Sequence, residues 1–220
     1  TPGRTLFPYT TLFRSIQKLQ ENSAVMRLAR KIDLPGNGVT IPVITGDPEA
    51  AWVAETDKKK VSKPGLGTKL MSAYTLAVIV PFSNQFKRNA EALYEALVDR
   101  LPLALAQKFD YTVFGGVAAP GENFDTLATA TAQDLKTDVY KGLVAADADI
   151  AIHGGITNGF VVSPQMKSEL LLAVDANKRP LFVNSAADGA VPMLLSVPTV
   201  SSKGAFVDGT PKTLGFAGDW

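Results

Sequence analysis

The chain of 220 residues is 46% hydrophobic and 20% charged, a composition typical of a folded protein with a buried core, which excludes general disorder. Its 22 basic and 21 acidic residues nearly balance, which excludes a field of one sign large enough to drive general binding to nucleic acid or a membrane surface. With no cysteine and one histidine, disulfides, thiol nucleophiles, thiolate metal sites and sites built on several histidines are also excluded.

The N-terminal part of the chain carries two different signals. Residues 1–15 are predicted to be a non-native segment, because the stretch from Thr5 to Ser15 resembles a translated sequencing adapter; the alternative is an irregular arm. Residues 16–50 are predicted to form an N-terminal arm and a first strand. The apolar residues up to Lys31 keep a broken helical spacing, which predicts an arm or a short helix. Alternating apolar residues over 39–43 then predict a short strand.

Residues 51–82 are predicted to form an extended β-hairpin loop. One extended piece runs from Ala51 to Thr56, a charged tip with glycine and proline runs from Asp57 to Gly67, and a long strand runs from Lys69 to Phe82. An isolated two-stranded ribbon is only marginally stable in water, and a hairpin of this kind cannot bury both faces against its own body. Its apolar residues therefore need a neighbour.

Residues 83–120 are predicted to be dominated by one long helix. From about Asn89 the apolar period becomes 3.6, which predicts a helix of about twenty residues or more, bent at Pro102 and ending at Phe114-Gly115-Gly116. A second face carries an acidic stripe, which is most often a solvated surface. The apolar face is formed by Leu93, Leu97, Leu101, Ala104, Leu105 and Phe109, and the stripe by Glu91, Glu95 and Asp99.

Residues 121–211 are predicted to form an α/β module. Thr131 and Asp134 have capping-box spacing ahead of a helix, and Gly159 to Val162 is a short apolar run that predicts a buried strand. Ser163 is predicted to cap the next helix, which Pro164 opens. Two further strands are predicted over 181–183 and 194–200, the second at an edge or bulge because it contains a proline. The first helix places Leu135, Val139, Leu143 and Ala146 on one side.

The last residues, 212–220, are predicted to start another strand, with Leu214 and Phe216 in its apolar pattern. The chain stops at Gly218-Asp219-Trp220, in the middle of that pattern. This predicts a chain truncated at its C-terminus.

Candidate catalytic and binding motifs are weak throughout the chain. His153-Gly154-Gly155 is similar to the oxyanion-hole loop of lipases, but the G-x-S-x-G nucleophile motif that should accompany it is absent. Dinucleotide and phosphate-loop motifs are absent too. Asp147, Asp149 and Asp175 lie near helix ends and loops, where carboxylates commonly solvate the surface. We therefore predict a protein that is not an enzyme, with no catalytic, cofactor-binding or metal-binding residues and no cofactor.

The sequence also bears on binding to nucleic acid and to membranes. The lysines around position 60 have only two aromatic residues nearby and lie in a chain of balanced charge, so a solvated turn or a patch that meets an acidic neighbour is favoured over a nucleic-acid site. No apolar run approaches the ~20 residues needed to span a bilayer, so no membrane partner is predicted.

The order of elements and several local patterns resemble the Hong Kong 97-type major capsid proteins of tailed bacteriophages. The patterns are Ala51 to Glu55 at the entry to the charged tip, Ala73 to Ser83 before the long helix, Phe114-Gly115-Gly116 at its end, Gly159 to Pro164 before another helix, and the Gly-Asp-aromatic sequence at 218–220. Each is weak alone, but their order and spacing together are specific.

The resemblance implies an α+β fold with an N-terminal arm, an extended loop over 51–82, a peripheral-domain spine helix within 83–120 and an α/β axial domain over 121–211. Residues 212–220 would return to the peripheral sheet. It also implies a subunit that self-assembles into hexamers and pentamers of an icosahedral capsid enclosing double-stranded DNA without sequence-specific binding. The spine-helix residues are Leu93, Leu97, Leu101 and Phe109, and the inter-subunit residues of the loop are Trp52, Glu55, Lys58, Lys59, Lys60, Lys63 and Tyr74.

By the same resemblance the protein is expected in the virion capsid after synthesis in the host bacterial cytoplasm, with scaffold, maturation protease and portal proteins as further partners. The alternatives are an encapsulin-type compartment shell, which has the same fold, a tail or adaptor component, and, from a different class, a small hydrolase that uses His153.

Overall fold

The computed structural model of the protein describes residues 9–33, 38–46, 48–53, 55, 58–59, 61–80, 90–175, 177–182 and 193–220. In the described residues the helices are Tyr9–Asn22 (α1), Ala24–Leu28 (α2), Ala90–Val113 (α3), Val139–Ile152 (α4) and Pro164–Leu172 (α5), and short 3-10 turns occupy Leu127–Thr129 and Lys203–Ala205. The strands are Val39–Gly46 (β1), Gly65–Met71 (β2), Gly159–Val162 (β3), Met193–Leu194 (β4), Val197–Ser201 (β5) and Gly215–Gly218 (β6).

The chain divides into two compact units, named here the ribbon unit and the sheet unit. The ribbon unit comprises Ile32–Thr75 and Pro120–Phe124, and the sheet unit comprises Thr1–Lys31, Leu76–Ala119 and Asp125–Trp220. Helix α3 and nearly all of the region predicted as an axial domain therefore fall in the same unit. The subdivision into peripheral and axial domains stays a prediction.

The sheet unit is built around strand β3, which lies inside a four-stranded sheet of order β4-β5-β3-β6. Strand β3 runs parallel to β5 and antiparallel to β6. All four of its residues are buried, because both faces of the sheet are covered. Val161 packs with residues of α2 and α3, whereas Phe160 and Val162 pack with residues of α4 and α5. The short buried strand predicted at 159–162 is confirmed, as is a mixed helix and sheet fold.

The long helix is confirmed as α3, with Pro102 inside it, but its most buried ridge differs from the one predicted. The ridge contains Pro102, Ala106, Asp110 and, just after the helix, Phe114, all of them buried. Of the predicted apolar face, Leu97, Leu101, Leu105 and Phe109 are half-buried, Ala104 is exposed, and the side chain of Leu93 lies outside the described part. Apolar periodicity missed this ridge because one of its members is a carboxylate.

The N-terminal region is more regular than the predicted arm or short helix. Helix α1 begins at Tyr9, inside the segment set aside as non-native, and packs along α3. Lys18 of α1 forms an ion pair with Asp99, the one member of the acidic stripe whose side chain is described. Helix α2 follows after Ser23, whose hydroxyl accepts a hydrogen bond from the Met26 N–H and caps the helix.

The short strand predicted over 39–43 is confirmed as β1, but the hairpin of the ribbon unit is formed by β1 and β2 and not by the two pieces predicted to form it. Strand β1 pairs antiparallel with β2, whereas the described residues between Ala51 and Thr56 form no strand. Strand β2 ends at Met71, the chain continues to Val80 without a strand, and Phe82 lies outside the described residues. The strand predicted over 69–82 is therefore too long. The apolar alternation continues beyond Met71, but a strand needs a partner backbone as well as an apolar pattern.

Two elements of the second half also differ from expectation. Helix α4 begins after Asp138 and not after Thr131, so Leu135 precedes the helix although it packs on the same cluster. The strand predicted over 194–200 is a tight hairpin of β4 and β5, whose turn residues Leu195 and Ser196 both have positive φ angles. Strand β5 lies inside the sheet and not at its edge; its pairing with β3 begins one residue after Pro198.

Of the remaining predictions for the second half of the chain, one is wrong over the described residues and two are confirmed. The described residues 181–182 form no strand, and residue 183 lies outside the described part. Helix α5 begins at Pro164 and is capped by Ser163 as predicted, with the Met166 N–H donating to the serine hydroxyl. The strand near the end of the chain is confirmed as β6.

Candidate assembly surface

The ribbon of β1 and β2 carries apolar side chains on both of its faces. Residues paired directly across an antiparallel ribbon project to the same face, so one face holds the Val39–Met71 pair with Ile41 and Val43, and the other holds Ile44 opposite Leu66. Ile44 is 66% exposed and Leu66 is 74% exposed. The face with Ile44 and Leu66 is therefore largely exposed, whereas on the other face Val39, Ile41 and Met71 are half-buried and Val43 is exposed.

The segment that joins β1 to β2 is also exposed. Trp52 has its full surface accessible, and Val61 is 85% exposed. Glu55 and the described lysines of the segment are exposed as well. These lysines are Lys58, Lys59 and Lys63, whereas Lys60 lies outside the described residues. The connecting segment thus combines a large aromatic side chain with a cluster of cations.

Tyr74, another of the predicted loop residues, contacts its own chain. Its hydroxyl donates a hydrogen bond to the backbone carbonyl of Glu122. Its ring meets the ring of Phe124 edge to face, with centroids 5.9 Å apart and an interplanar angle of 75°. Both partners belong to the ribbon unit. About 40% of Tyr74 remains exposed.

The sheet unit holds a buried polar junction that sequence reasoning missed. The carboxylate of Asp110 is completely buried and accepts four hydrogen bonds. The Ser23 hydroxyl donates to Oδ1 at 2.5 Å and the Val25 N–H to the same oxygen at 3.4 Å. The Ala24 N–H donates to Oδ2 at 2.9 Å and the Ser202 hydroxyl at 2.7 Å. A buried carboxylate is tolerable only with such partners.

Each of the two serines of this junction both donates and accepts a hydrogen bond. While each donates to Asp110, the Ser23 oxygen accepts from the Met26 N–H at 3.1 Å and the Ser202 oxygen accepts from the Gly204 N–H at 3.2 Å. Both serines precede short helices, so the sequence signal available for them was a serine at an N-cap position. One carboxylate therefore joins α3, the start of α2 and the 3-10 turn at 203–205.

A second polar junction joins β6 to the loop before β3. The Asn158 side chain donates to Asp219 Oδ1 at 2.9 Å and accepts from the Trp220 N–H at 2.9 Å. The indole N–H of Trp220 donates to the Gly159 carbonyl at 3.0 Å. The ring of Trp220 lies edge-on to that of Phe114, with 6.3 Å between centroids. The Gly-Asp-aromatic sequence thus has a structural role inside the sheet unit.

Asp138 is the residue for which electrostatics are most clearly perturbed in the described structure. The Lys141 N–H donates to its carboxylate and is the main reason that the pKa of Asp138 lies below its ordinary value. Burial opposes this effect, while the Lys141 charge and the Tyr140 N–H add to it. This is the behaviour of a helix N-cap, consistent with the position of Asp138 before α4.

His153 lies at the end of α4 and its ring bonds to its own helix. Its Nδ1 lies 2.7 Å from the Asp149 carbonyl oxygen, which serves helix capping. Among the described residues, His, Asp and Glu nowhere gather in a group of three that could hold a metal ion. Within the same part of the chain, none of the helices is both long enough and apolar enough to cross a membrane.

The architecture defines the chain first by its fold, an α+β capsid fold. A solved structure from Microbacterium phage Oxtober96 has a TM-score of 0.74 at 20% identity, covering 90% of this chain and 70% of that chain. One from Mycobacterium phage Bobi has a TM-score of 0.70 at 18% identity, covering 90% and 69%.

The family follows from the sequence match. The model of the phage capsid family matches residues 6–219, and the chain belongs to that family. A probable major capsid protein, gp17 of Mycobacterium phage D29, is 26% identical over 91% of this chain and 66% of the relative. The major capsid protein of Staphylococcus phage 80alpha is 25% identical over 86% of this chain and 58% of the relative. The chain thus spans between about half and two thirds of the length of these curated relatives. Their names describe structural proteins of the virion and not enzymes.

Proposed function

We propose that this chain is the shell-forming region of a tailed-phage major capsid protein that assembles, with Hong Kong 97-type contacts, into hexamers and pentamers of an icosahedral capsid enclosing double-stranded DNA. The family and the named relatives support a capsid subunit. A structure titled as the capsid of a native GTA particle computed with C5 symmetry shares the fold at a TM-score of 0.58 and 14% identity, covering 92% of this chain and 71% of that chain. That title supports a shell-forming role for this fold.

The observation that carries the proposal is the ribbon with apolar side chains on both faces, of which the face with Ile44 and Leu66 is largely exposed. Apolar area removed from water contributes about 25 cal/mol per Å², so side chains such as Ile44 and Leu66 stabilise a complex that covers them. A ribbon of two strands provides no second layer of its own. In the proposed shell an adjacent subunit provides that layer, and closed symmetry repeats the contact in every subunit.

The cations of the connecting segment have a different role in this proposal. Exposed ion pairs contribute at most about 1 kcal/mol each and are screened by salt. Lys58, Lys59 and Lys63 therefore steer the approach of subunits more than they hold them together. The proposal also includes synthesis in the host bacterial cytoplasm and a final place in the virion capsid. Its further partners are scaffold, maturation protease and portal proteins, and the packaged DNA is held without sequence-specific contacts.

The proposal is tested by replacing Trp52 in the capsid protein under assembly conditions. Because Trp52 is fully exposed in the subunit, Trp52→Ala should leave circular dichroism and thermal unfolding of the unassembled protein unchanged. Loss of a buried aromatic contact costs roughly 1.5 to 3 kcal/mol at each interface, and repetition around a shell makes the loss of shells nearly complete. Trp52→Phe keeps an aromatic ring and serves as the matched control, with partial assembly expected by electron microscopy.

The opposing result is equally defined. Normal shells from Trp52→Ala at every salt concentration would show that this part of the ribbon unit does not contact a neighbour. Unfolding of the isolated subunit by the same change would show that Trp52 is part of its own core.

The lysines of the connecting segment should behave differently. Replacement of Lys58, Lys59 and Lys63 by glutamate should slow assembly, and most strongly at low salt.

A further inference from the structure

The clamp around Tyr74 shows how the root of the ribbon is held. Strand β2 ends at Met71, and the ribbon unit ends at Thr75. Between them, the Tyr74 hydroxyl donates to the carbonyl of Glu122, 48 positions further along the chain. The ring of Phe124 closes one side edge to face. The clamp therefore connects the outgoing end of the ribbon to Pro120–Phe124, the second stretch of the ribbon unit.

The absence of a side chain at Gly121 leaves room for the Tyr74 ring. A Cβ at this position would lie 2.6 Å from the Tyr74 hydroxyl oxygen and 2.8 Å from its Cε1 carbon, distances at which something must shift. Gly121 is not among the residues with positive φ, so its backbone conformation is open to other residues. A side chain at this position would therefore displace the Tyr74 ring from the place it occupies beside Gly121. The Tyr74 ring thus lies beside Gly121 while its hydroxyl donates to the carbonyl of the next residue, Glu122.

A ribbon held at its root loses less entropy when it docks. If the root were free, the ribbon and the segment that connects its strands would have to be ordered at the moment of assembly, and the free-energy cost of this ordering weakens association. A hydrogen bond and two ring contacts that already exist in the unassembled subunit reduce the number of conformations in advance.

We propose that Tyr74 is a positioning residue for assembly: through Glu122, Gly121 and Phe124 it holds the root of the ribbon in the conformation that an adjacent subunit accepts. This inference rests on the proposed capsid function. It changes the role of Tyr74 from a residue that touches a neighbour to one that prepares its own chain to do so.

The first measurement is hydrogen exchange in the unassembled protein over residues 72–75 and 120–124. Tyr74→Phe removes the hydrogen bond but keeps the ring, and should accelerate exchange there about threefold to tenfold, the range for one neutral hydrogen bond. Gly121→Ala displaces the ring itself and should accelerate exchange at least as much. Gly46→Ala is the matched control in the same unit, since its added Cβ would meet nothing closer than 3.6 Å, and it should leave exchange in both stretches unchanged.

The second measurement is the rate of shell formation at equal protein concentration, followed by light scattering and electron microscopy. Tyr74→Phe should slow assembly by a similar factor, Gly121→Ala should slow it more, and Gly46→Ala should assemble like the wild type. The thermal unfolding midpoint of the sheet unit should not move in any of the three variants, because all three positions lie in the ribbon unit. A merely structural role of Tyr74 would instead lower stability and assembly together.

Each outcome decides one claim. Unchanged exchange in Tyr74→Phe and Gly121→Ala would show that no clamp exists in solution and would overturn the inference alone. Faster exchange with assembly at the wild-type rate would also overturn it, while leaving the proposed function in place. A wild-type protein that forms no shells under any assembly condition would overturn the proposed function, and the inference with it.

Discussion

Replacement of Asp110 by asparagine tests whether the buried junction holds the sheet unit together. Asparagine keeps the shape and one acceptor oxygen but puts an NH₂ group in place of the other oxygen. If the NH₂ faced Oδ2's partners, the Ala24 N–H at 2.9 Å would meet another donor. If it faced Oδ1's partners, the Val25 N–H at 3.4 Å would lose a longer and weaker bond. The second orientation is therefore the one expected, with the Ser23 hydroxyl turned to accept.

The expected loss follows from these contacts. One buried backbone N–H is left without an acceptor, which costs about 1 to 3 kcal/mol, and the remaining bonds lose the strength that a charged acceptor adds. Together these effects should lower the free energy of unfolding by about 2 to 5 kcal/mol. For a chain of this size that corresponds to a fall in the unfolding midpoint of roughly 5 to 15 °C.

Urea unfolding followed by circular dichroism measures this loss. Asp208→Asn is the matched control, because the Asp208 side chain is 69% exposed and its ion pair with Lys212, at 3.5 Å, is a surface contact. The control should change stability by no more than about 0.5 kcal/mol. Equal stability of Asp110→Asn and the control would refute the reasoning, since it would mean that the carboxylate is not needed by its four donors.

Three further perturbations follow from described contacts. The pKa of Asp138 is lowered in the folded state, so its stabilising effect is present above the ordinary value of 3.8 and is lost as pH falls through the folded pKa. Asp138→Asn should keep the helix cap but remove this pH dependence. Hydrogen exchange at the start of α4, measured against pH, checks this. Phe114→Ala should lower the free energy of unfolding by about 3 to 5 kcal/mol in urea, against no more than about 0.5 for Leu172→Ala, which is 73% exposed. Asn158→Ala should accelerate exchange of the Trp220 N–H, measured by NMR, and an unchanged rate would count against the junction at β6.

Local sequence signals predicted the elements whose causes are local. The 3.6-residue period of α3, the Ser163-Pro164 start of α5 and the continuous apolar run of β3 each depend on neighbours within a few positions, and all three are confirmed. Proline at 102 was expected to bend the helix without ending it, and α3 continues through it. Capping and periodicity are properties of a short stretch of chain, so one sequence suffices to see them.

Pairing partners and buried polar groups could not be predicted in the same way. Strand β2 takes β1 as its partner and not the stretch around Trp52, and alternation in one strand carries no information about which other strand will pair with it. The burial of Asp110 could not be predicted, because a carboxylate in a helix is usually exposed and its burial here depends on donors 87 and 92 positions away. Of the predicted interface, the structure leaves Trp52 exposed, and its contact with a neighbour stays a prediction.

The Asp110 junction also dictates an order of events during synthesis. Its donors come from opposite ends of the described chain, so the carboxylate cannot have all of its partners until Ser202 has left the ribosome. At 5 to 20 residues per second, the interval between the synthesis of Ser23 and Ser202 is on the order of 10 to 40 s. Strand β3 waits a much shorter time, because its parallel partner β5 begins about 35 residues after β3 ends, which takes on the order of 2 to 7 s to synthesise. Contacts that close such long loops are slow to form. Residues 23–25 can therefore dock on Asp110 once α3 has been made, and the hydrogen bond from Ser202 completes the junction as a late step.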